Sequence, residues 1–254
     1  AIHFPDDLKL QDEAWRRLCF DEFFLFQLPL ALRKLNKKQK RGIIHTVKGE
    51  LVDCFMNSLP FTLTGAQQAA LKEISFDMAS ASPMQRLLQG DVGSGKTIVA
   101  AVACIMAIQG GYQAAFMVPT EILARQHYDK IRCQVSGVSA AGGSAFGGSL
   151  QKRTIRIGLL VGSAEKKERE KMLEDIKEGK VDLVIGTHAL LEESVKFKNL
   201  GLVVIDEQHK FGVGQRALLP EKGPSPDVLI MTATPIPRTL AITIYADLDV
   251  SVIK

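Results

Sequence analysis

Two short segments carry residue types suited to binding and hydrolysing a nucleoside triphosphate. Residues 90–97 read GDVGSGKT and match the phosphate-loop pattern Gly-x-x-x-x-Gly-Lys-Thr at every fixed position. Residues 206–209 read DEQH and directly follow the apolar run 202–205. Together the segments supply a cradle for phosphates, oxygen ligands for Mg²⁺ and a base for water. The pattern therefore predicts a nucleoside triphosphatase.

The phosphate-loop segment combines glycines with a lysine and a hydroxyl residue. Gly90, Gly93 and Gly95 allow a tight turn whose N–H groups point at phosphate oxygens. Lys96 adds a positive charge for the β- and γ-phosphates, and Thr97 offers a hydroxyl to Mg²⁺. The alternative, a glycine-rich turn that binds nothing, is disfavoured by the apolar strand before the segment and the helix after it. The expected nucleotide contacts are Gly90, Asp91, Val92, Gly93, Ser94, Gly95, Lys96 and Thr97.

The second segment places two carboxylates at the end of a predicted strand. Four consecutive apolar residues before Asp206 are typical of a central parallel strand that is covered on both faces. Ligands of open α/β sheets collect at the carboxyl ends of such strands. We therefore expect Asp206 to hold Mg²⁺ through water and Glu207 to polarise the attacking water, with Lys96 as the third catalytic residue. A solvated acidic loop is the alternative.

A sheet must position these motifs, because strand-like and helical segments alternate from residue 64 onward. Apolar runs predict strands at residues 86–89, 113–118, 155–161, 181–185, 202–205, 228–231 and 250–253. Helical patterns lie between them at residues 64–80, 98–108, 120–131, 165–178 and 237–246. This alternation predicts the α/β class, with a mostly parallel sheet covered by helices on both faces.

The first 58 residues differ from the rest and predict an N-terminal α-helical arm before a domain at residues 59–254. Residues 12–35 indicate one or two helices, and Phe20, Phe23, Phe24 and Phe26 cluster there as core or docking surface. The basic stretch 33–41 suits either a phosphate backbone or a solvated helix end, and both remain open. Residues 136–149, rich in Gly, Ser and Ala, predict a flexible loop.

Composition limits the class of protein without deciding it. The chain has 254 residues, 46% of them apolar, which is enough for one large α/β domain with an appendage. A net charge of +4 favours nucleic acid only mildly. The four cysteines form no CxxC pair, which favours a reducing compartment over disulfides or a metal site. No apolar stretch reaches transmembrane length, and no secretory signal is present.

The order of further motifs resembles the first motor domain of superfamily 2, DEAD/DEAH-like helicases. PFTLTGAQ ends at Gln67, and the phosphate loop, VPTEILARQH (118–127), IGTHALL (185–191), DEQH and TATPIPRTLA (232–241) follow. Within that superfamily, DEQHKFGVGQR and MTATPIPRTLA are similar to the RecG family of branched-DNA helicases. Transcription-repair coupling translocases are similar too, but they usually carry Glu in place of Gln208. Lys210 departs from the RecG pattern, which usually has Arg there.

The resemblance implies a RecA-like fold and roles for residues beyond the first two motifs. Gln67 would read adenine through its amide, by the pairing used in DNA readout, and Phe61 would pack on the base. Thr120 and Thr187 each follow an apolar strand and would hold DNA phosphates, cap helices, or both. Residues expected to couple the γ-phosphate site to domain movement are Gln208, His209, Thr232 and Thr234, although His209 alone could be structural.

The resemblance also implies cofactors and partners. They are ATP and Mg²⁺, forked or branched DNA, and two other parts of the full-length protein, a wedge domain and a second motor domain with an arginine finger. We expect a monomer without a membrane partner, located inside the cell in the bacterial cytoplasm or nucleoid. The long loop 136–149 raises a plastid or mitochondrial homologue as an alternative. Because the chain starts Ala1-Ile2, we expect it to be an excised fragment that lacks any targeting peptide.

Rival functions come from other classes. A small-molecule kinase or a transporter ATPase shares the phosphate loop, but no LSGGQ-like string is present, and DEQH with TAT is unusual for either. A non-catalytic DNA-binding module is the third possibility, and the intact Lys96, Thr97, Asp206 and Glu207 argue against it. ATPase stimulation by DNA would separate these classes.

Overall fold

The computed structural model describes residues 7–38, 41–141, 154–207, 218–233 and 248–253. Its helices are α1 (Leu8–Lys38), α2 (Glu50–Ser58), α3 (Gly65–Met78), α4 (Lys96–Gln109), α5 (Glu121–Ala141) and α6 (Lys166–Glu178). Its strands are β1 (Gln85–Gly90), β2 (Gln113–Met117), β3 (Ile157–Leu160), β4 (Leu183–Gly186), β5 (Leu200–Asp206), β6 (Asp227–Thr232) and β7 (Asp249–Ile253). Short 3₁₀ helices occupy His188–Leu191 and Pro220–Lys222.

The seven described strands form one parallel sheet in the order β3-β4-β2-β5-β6-β1-β7. Parallel neighbours require crossover connections, and helices α4, α5 and α6 supply them. Strands β2, β4 and β6 are buried along their full length, as expected for strands covered on both faces. The predicted α/β class with a RecA-like sheet is confirmed.

Helix α4 lies in the interior because it is apolar on every side. All residues from Ile98 to Ile108 are buried, and the helix contacts β1, β2 and β5 as well as α2 and α3. Alanines at 100, 101, 103 and 107 allow neighbouring elements to approach closely. The helix that follows the phosphate loop is therefore anchored in the core, which fixes its N-terminal end beside the sheet edge.

Helix α2 changes how the first 58 residues are understood. Its side chains Val52 and Phe55 are buried in the core, and it packs against α4 and α5. The chain divides into two compact units, with α1 in one and α2 to α6 in the other. The division into a helical arm at residues 1–58 and a domain at residues 59–254 stays a prediction. Because α2 packs with the helices of the domain, its contacts favour a boundary near residue 40 between the two parts.

Helix α1 is a single helix of 31 residues with Pro29 inside it. The side chains of Phe20, Phe23, Phe24 and Phe26 are all at least half exposed, and the rings of Phe20 and Phe24 stack at 6.0 Å. Most side chains of the basic stretch 33–41 lie outside the described residues, so both of its interpretations stay open. Among the helices that the structure describes, none is long and apolar enough to cross a membrane.

Helix α5 corrects one sequence-based expectation. Residues 136–141, predicted to begin a flexible loop, continue the helix to Ala141. Alanine is the strongest helix former, and the paired glycines that would weaken the helix come only at residues 142 and 143. The remainder of the predicted loop, residues 142–149, and the predicted helix 237–246 lie outside the described residues.

A buried arginine ties α3 and β7 to β1. The Arg86 guanidinium donates to Asp77 at 2.8 Å, to Glu73 at 2.7 Å and to the Ser251 hydroxyl at 2.7 Å. Arg86 is only 8% exposed, so these oxygens satisfy a cation that would otherwise be costly to bury. The network holds the helix that begins with Gly65 beside the strand that leads into the phosphate loop.

Replacing the buried Gln113 by Leu is expected to lower the free energy of unfolding by about 2–4 kcal/mol, since polar groups lose their buried partners. Its amide Nε2 donates to the carbonyls of Ile176 and Val181, and its Oε1 accepts from the N–H groups of Lys198 and Asn199. Urea denaturation measures the change. Gln126→Leu makes the same chemical change on the exposed side of α5 and is expected to shift stability by no more than about 0.5 kcal/mol. Equal effects of the two substitutions would contradict the role of the buried amide.

Candidate nucleotide and catalytic site

The candidate site lies where three neighbouring strands end. Strands β1, β6 and β5 are adjacent in the sheet, with Gln89 paired to Thr232 and Met231 paired to Asp206. The register therefore brings the phosphate loop after β1, the acidic pair after β5 and Thr232 to one edge. This is the edge at which open α/β sheets bind ligands.

The phosphate loop depends on glycine at two positions. Gly95 has φ 88° and caps the N-terminus of α4 in the left-handed conformation. A Cβ added there would clash with the Gln67 Nε2 atom, and one added at Gly90 would lie 2.6 Å from the Ser94 hydroxyl and 2.8 Å from the Ile253 carbonyl. Gly93 also has positive φ, at 84°, but faces open space. The predicted glycine turn and helix N-terminus are both present.

Lys96 lies in the first turn of α4 and points back over the loop. Its ammonium donates to the carbonyls of Gly90 at 2.7 Å and Asp91 at 2.8 Å. Burial lowers the pKa of Lys96, and the nearby carboxylates of Asp206, Glu207 and Asp91 oppose that shift. The register of β1, β6 and β5 brings the ends of both predicted motifs to the same edge of the sheet, and the charges of the acidic pair act on this ammonium.

Gln67 connects helix α3 to the phosphate loop. Its Oε1 accepts from the Thr64 N–H at 2.9 Å while its own N–H donates to the Thr64 hydroxyl at 3.3 Å, which forms a capping box. The Gln67 Nε2 atom donates to the Ser94 carbonyl at 2.8 Å. Both ends of the amide thus have protein partners here, and adenine recognition by Gln67 stays a prediction.

Phe61 lies beside an open groove rather than in the core. Its side chain is 48% exposed. The groove is lined by Met56, Asn57, Leu59, Pro60, Phe61, Thr62, Leu63 and Gln68. An exposed aromatic ring next to apolar side chains suits stacking on a flat ligand. Packing of Phe61 on a base stays a prediction.

The acidic pair has two features that the sequence did not show. The Asp206 Oδ2 atom lies 3.4 Å from the His127 Nε2 atom, and both side chains are only 13% exposed. Glu207 has φ 51°, a left-handed conformation uncommon for this residue type, and its N–H donates to the Met231 carbonyl at 3.1 Å. In the sequence, His127 is the last residue of the segment VPTEILARQH. Its helical spacing from Thr120 is the one signal that could have placed it near the site.

The predicted DNA contacts differ in accessibility. Thr120 is exposed and caps α5, with its hydroxyl accepting from the Leu123 N–H at 3.3 Å. Thr187 directly follows β4 but is only 1% exposed, and its hydroxyl has no hydrogen-bond partner among the described residues. Contact between Thr187 and a DNA phosphate would therefore require a local rearrangement.

The predicted coupling residues are only partly covered by the structure. Thr232 is buried at the end of β6. Gln208, His209 and Thr234 lie outside the described residues.

The residues at this edge fit a magnesium–nucleotide complex. No cluster of three or more His, Cys, Asp or Glu side chains suited to a metal occurs within the described residues. Magnesium, however, is commonly held by one or two carboxylates together with substrate phosphates. The half-buried Thr97 hydroxyl and the Asp206 carboxylate are donors of this kind. The Ser94 hydroxyl is buried in the loop without a hydrogen-bond partner in the described part of the chain, which fits a cradle built for a polar ligand.

A comparison with protein families decides the class of this domain. The model of the DEAD/DEAH box helicases matches residues 64–242. The chain belongs to the DEAD/DEAH box helicase family. This match covers the phosphate loop, the acidic pair and strands β1 to β6, whereas Phe61 and β7 lie outside it.

Similarity to individual proteins extends along the whole chain. The chain is 49% identical over 254 residues to the ATP-dependent DNA helicases RecG of Streptococcus pneumoniae and Bacillus subtilis, and it covers 35% of each. The chain thus spans about a third of the length of these relatives. A solved structure of RecG bound to a three-way DNA junction matches with a TM-score of 0.82 and 43% identity, covering 99% of this chain and 32% of that one. The predicted RecG resemblance is confirmed.

More distant structures share only the fold. Mycobacterium smegmatis helicase Lhr, solved with ssDNA and AMP-PNP, matches with a TM-score of 0.61 at 19% identity, covering 81% of this chain and 27% of that chain.

Proposed function

We propose that this chain is the first motor domain of a RecG-type ATP-dependent DNA helicase or translocase that acts on forks and junctions. The strand register that brings the phosphate loop with Lys96 and the pair Asp206–Glu207 to one edge of the sheet carries the triphosphatase part. Identity of 45–49% to RecG helicases along essentially the whole chain supports the RecG type over a transcription-repair coupling translocase. The family match argues against a kinase or transporter ATPase.

The residues of the site divide the work of hydrolysis. The loop N–H groups and the Lys96 ammonium bind phosphate oxygens, with Lys96 leaving the carbonyls of Gly90 and Asp91 to do so. Thr97 and Asp206 would hold Mg²⁺, which when bound neutralises charge on the phosphates. Glu207 orients the attacking water and accepts its proton.

Recognition of the base and of DNA would involve the outer parts of the site. Gln67 reads adenine once its amide leaves Thr64 or Ser94, and Phe61 packs on the ring. Thr120, exposed at the start of α5, contacts a DNA phosphate. Thr187 also contacts a DNA phosphate after a local rearrangement exposes its side chain. Coupling to domain movement is assigned to Gln208, His209, Thr232 and Thr234.

The rest of the full-length protein completes this function. The helical arm at residues 1–58 and the motor domain at residues 59–254 would be joined by a wedge domain and a second motor domain. The RecG structure bound to a three-way junction supports branched DNA as the partner. A monomeric state and an intracellular location, in bacteria or an organelle, stay predictions.

The test is steady-state ATP turnover of the full-length protein with a three-way junction or a linear duplex of equal length. We expect little turnover without DNA and stronger stimulation by the junction than by the duplex. Equal stimulation by the two DNAs would contradict the preference for branched DNA. No stimulation by either DNA would contradict the assignment as a DNA-dependent ATPase.

A separate measurement of nucleotide binding uses Lys96→Ala, which removes the phosphate-binding ammonium. Loss of one charge-assisted contact is expected to weaken nucleotide binding by about 1.5–3 kcal/mol, or roughly 10- to 100-fold in Kd. A fluorescent nucleotide titration measures this. An unchanged Kd would show that the loop is not the nucleotide site.

A further inference from the structure

His127 occupies a restricted position between an aromatic ring and the acidic pair. Its ring tilts against Phe116, with centroids 5.2 Å apart and an interplanar angle of 36°. Phe116 is fully buried on β2, the neighbour of β5 in the sheet. The His127 Nε2 atom faces the Asp206 Oδ2 atom at 3.4 Å. The imidazole is therefore supported on one side and contacts a carboxylate oxygen on the other.

The contact with His127 involves only Oδ2 of the two Asp206 carboxylate oxygens. An imidazole nitrogen this close to Oδ2 restricts rotation of the Asp206 side chain and leaves Oδ1 for other ligands. Partners behind a metal-binding group generally fix its orientation, and their loss reduces metal affinity or activity by about 10- to 100-fold. Within the described part of the chain, the charge of Asp206 also acts on Lys96, and Glu207 is the next residue in sequence.

Helix α5 also connects His127 to the face where DNA is proposed to bind. The helix begins after the exposed cap Thr120, and His127 follows about two turns later. The first helical residue, Glu121, is held in place because its carboxylate accepts from the Ser163 N–H at 3.1 Å. Ala124 and Ile131 are fully buried, which seats the helix on the core on both sides of His127. The position of His127 is thus fixed by the same helix that presents Thr120.

We propose, on the basis of the function proposed above, that His127 is a positioning residue for Asp206. It holds the Asp206 carboxylate in the orientation that accepts the magnesium–nucleotide complex. Its place on α5 makes this orientation depend on the helix that begins at the DNA-facing Thr120. The Lys96 ammonium, in contrast, donates to the carbonyls of Gly90 and Asp91.

The test compares two amide substitutions in the full-length protein. Gln places its amide nitrogen near the position of the imidazole Nε2, so His127→Gln can still donate to Asp206. Asn places it near Nδ1, so His127→Asn cannot. The nucleotide Kd is measured with a fluorescent ADP analogue in Mg²⁺ and in EDTA, and turnover is measured with junction DNA.

Mg²⁺ is expected to increase the affinity for nucleotide. For His127→Asn we expect the Mg²⁺ concentration that produces half of this increase to rise about 10-fold or more. The Kd in EDTA should not change, which also shows that the protein is folded. DNA-stimulated kcat should fall together with this loss, and His127→Gln should restore both. Wild-type Mg²⁺ dependence in His127→Asn, or no recovery in His127→Gln, would overturn the proposal.

A double substitution separates positioning from general structure. If His127 acts through Asp206, adding His127→Asn to Asp206→Asn should cause no further loss of Mg²⁺-dependent binding. Additive losses would refute that mechanism. Failure of the proposed function is visible separately, because wild-type protein would then bind nucleotide without any response to Mg²⁺ or to Lys96→Ala.

Discussion

A Glu207→Gln substitution in the full-length protein is expected to lower DNA-stimulated ATP turnover about 10²- to 10⁴-fold, the range of general base catalysis. The amide keeps the size of the side chain but cannot accept a proton from water. Nucleotide binding should be retained, because Lys96, Thr97 and Asp206 are unchanged. The substitution therefore separates binding from chemistry, and the two are measured by nucleotide titration and by steady-state turnover.

The backbone at Glu207 makes glutamine a well-matched replacement. Its φ of 51° is strained for a residue with a Cβ, and the N–H bond to the Met231 carbonyl holds it there. Gln carries the same strain, so the melting temperature should not change. Glu170→Gln, the same change on an exposed position of α6, is the control and should turn over normally. Wild-type turnover in Glu207→Gln would show that another group activates water.

The parts of the site that could be predicted from sequence follow local rules. The positive φ angles of Gly93 and Gly95 are conformations that glycine adopts without a Cβ clash. Apolar runs identified the strands because buried parallel strands need apolar side chains on both faces. The rule that ligands collect at carboxyl ends of strands then placed the phosphate loop and Asp206 at one edge, which the register of β1, β6 and β5 bears out geometrically.

What sequence could not predict depends on packing between distant elements. The approach of His127 to Asp206 is set by how α5 packs against α2, β3 and β4 and by the contact of the His127 ring with Phe116, and no spacing in the chain encodes that distance. The bond from Gln67 to the Ser94 carbonyl likewise requires α3 to lie against the loop. Thr187 follows an apolar strand as Thr120 does, yet only Thr120 is exposed. Exposure at a strand end depends on neighbouring segments, which for Thr187 include the 3₁₀ helix His188–Leu191.

The second large effect concerns the isolated 254-residue chain, which is expected to be nearly inactive as an ATPase and only weakly stimulated by DNA. Hydrolysis develops charge on the γ-phosphoryl oxygens, and an arginine finger that neutralises it is worth about 10³–10⁵ in rate. In the resembling family this arginine belongs to the second motor domain. The chain covers only 35% of the RecG proteins of Streptococcus pneumoniae and Bacillus subtilis, so most of their length has no counterpart in it.

Nucleotide binding should survive in the isolated chain, but more weakly. The phosphate loop, Gln67 and Asp206 all belong to it. The nucleotide contacts that a second motor domain would supply do not. Arg216 and Arg238 are the local candidates, each in the segment after a site motif, and both lie outside the described residues. We expect them to serve packing or domain contacts.

The measurement compares turnover of the isolated chain and the full-length protein at saturating ATP, with the same forked DNA. A difference of about 10³-fold or more would match the loss of an arginine finger. Comparable rates would refute a two-domain mechanism and make Arg216 or Arg238 the finger within this domain. Alanine substitutions at these two positions in the isolated chain then identify which one, because only the finger should lower turnover without changing the nucleotide Kd.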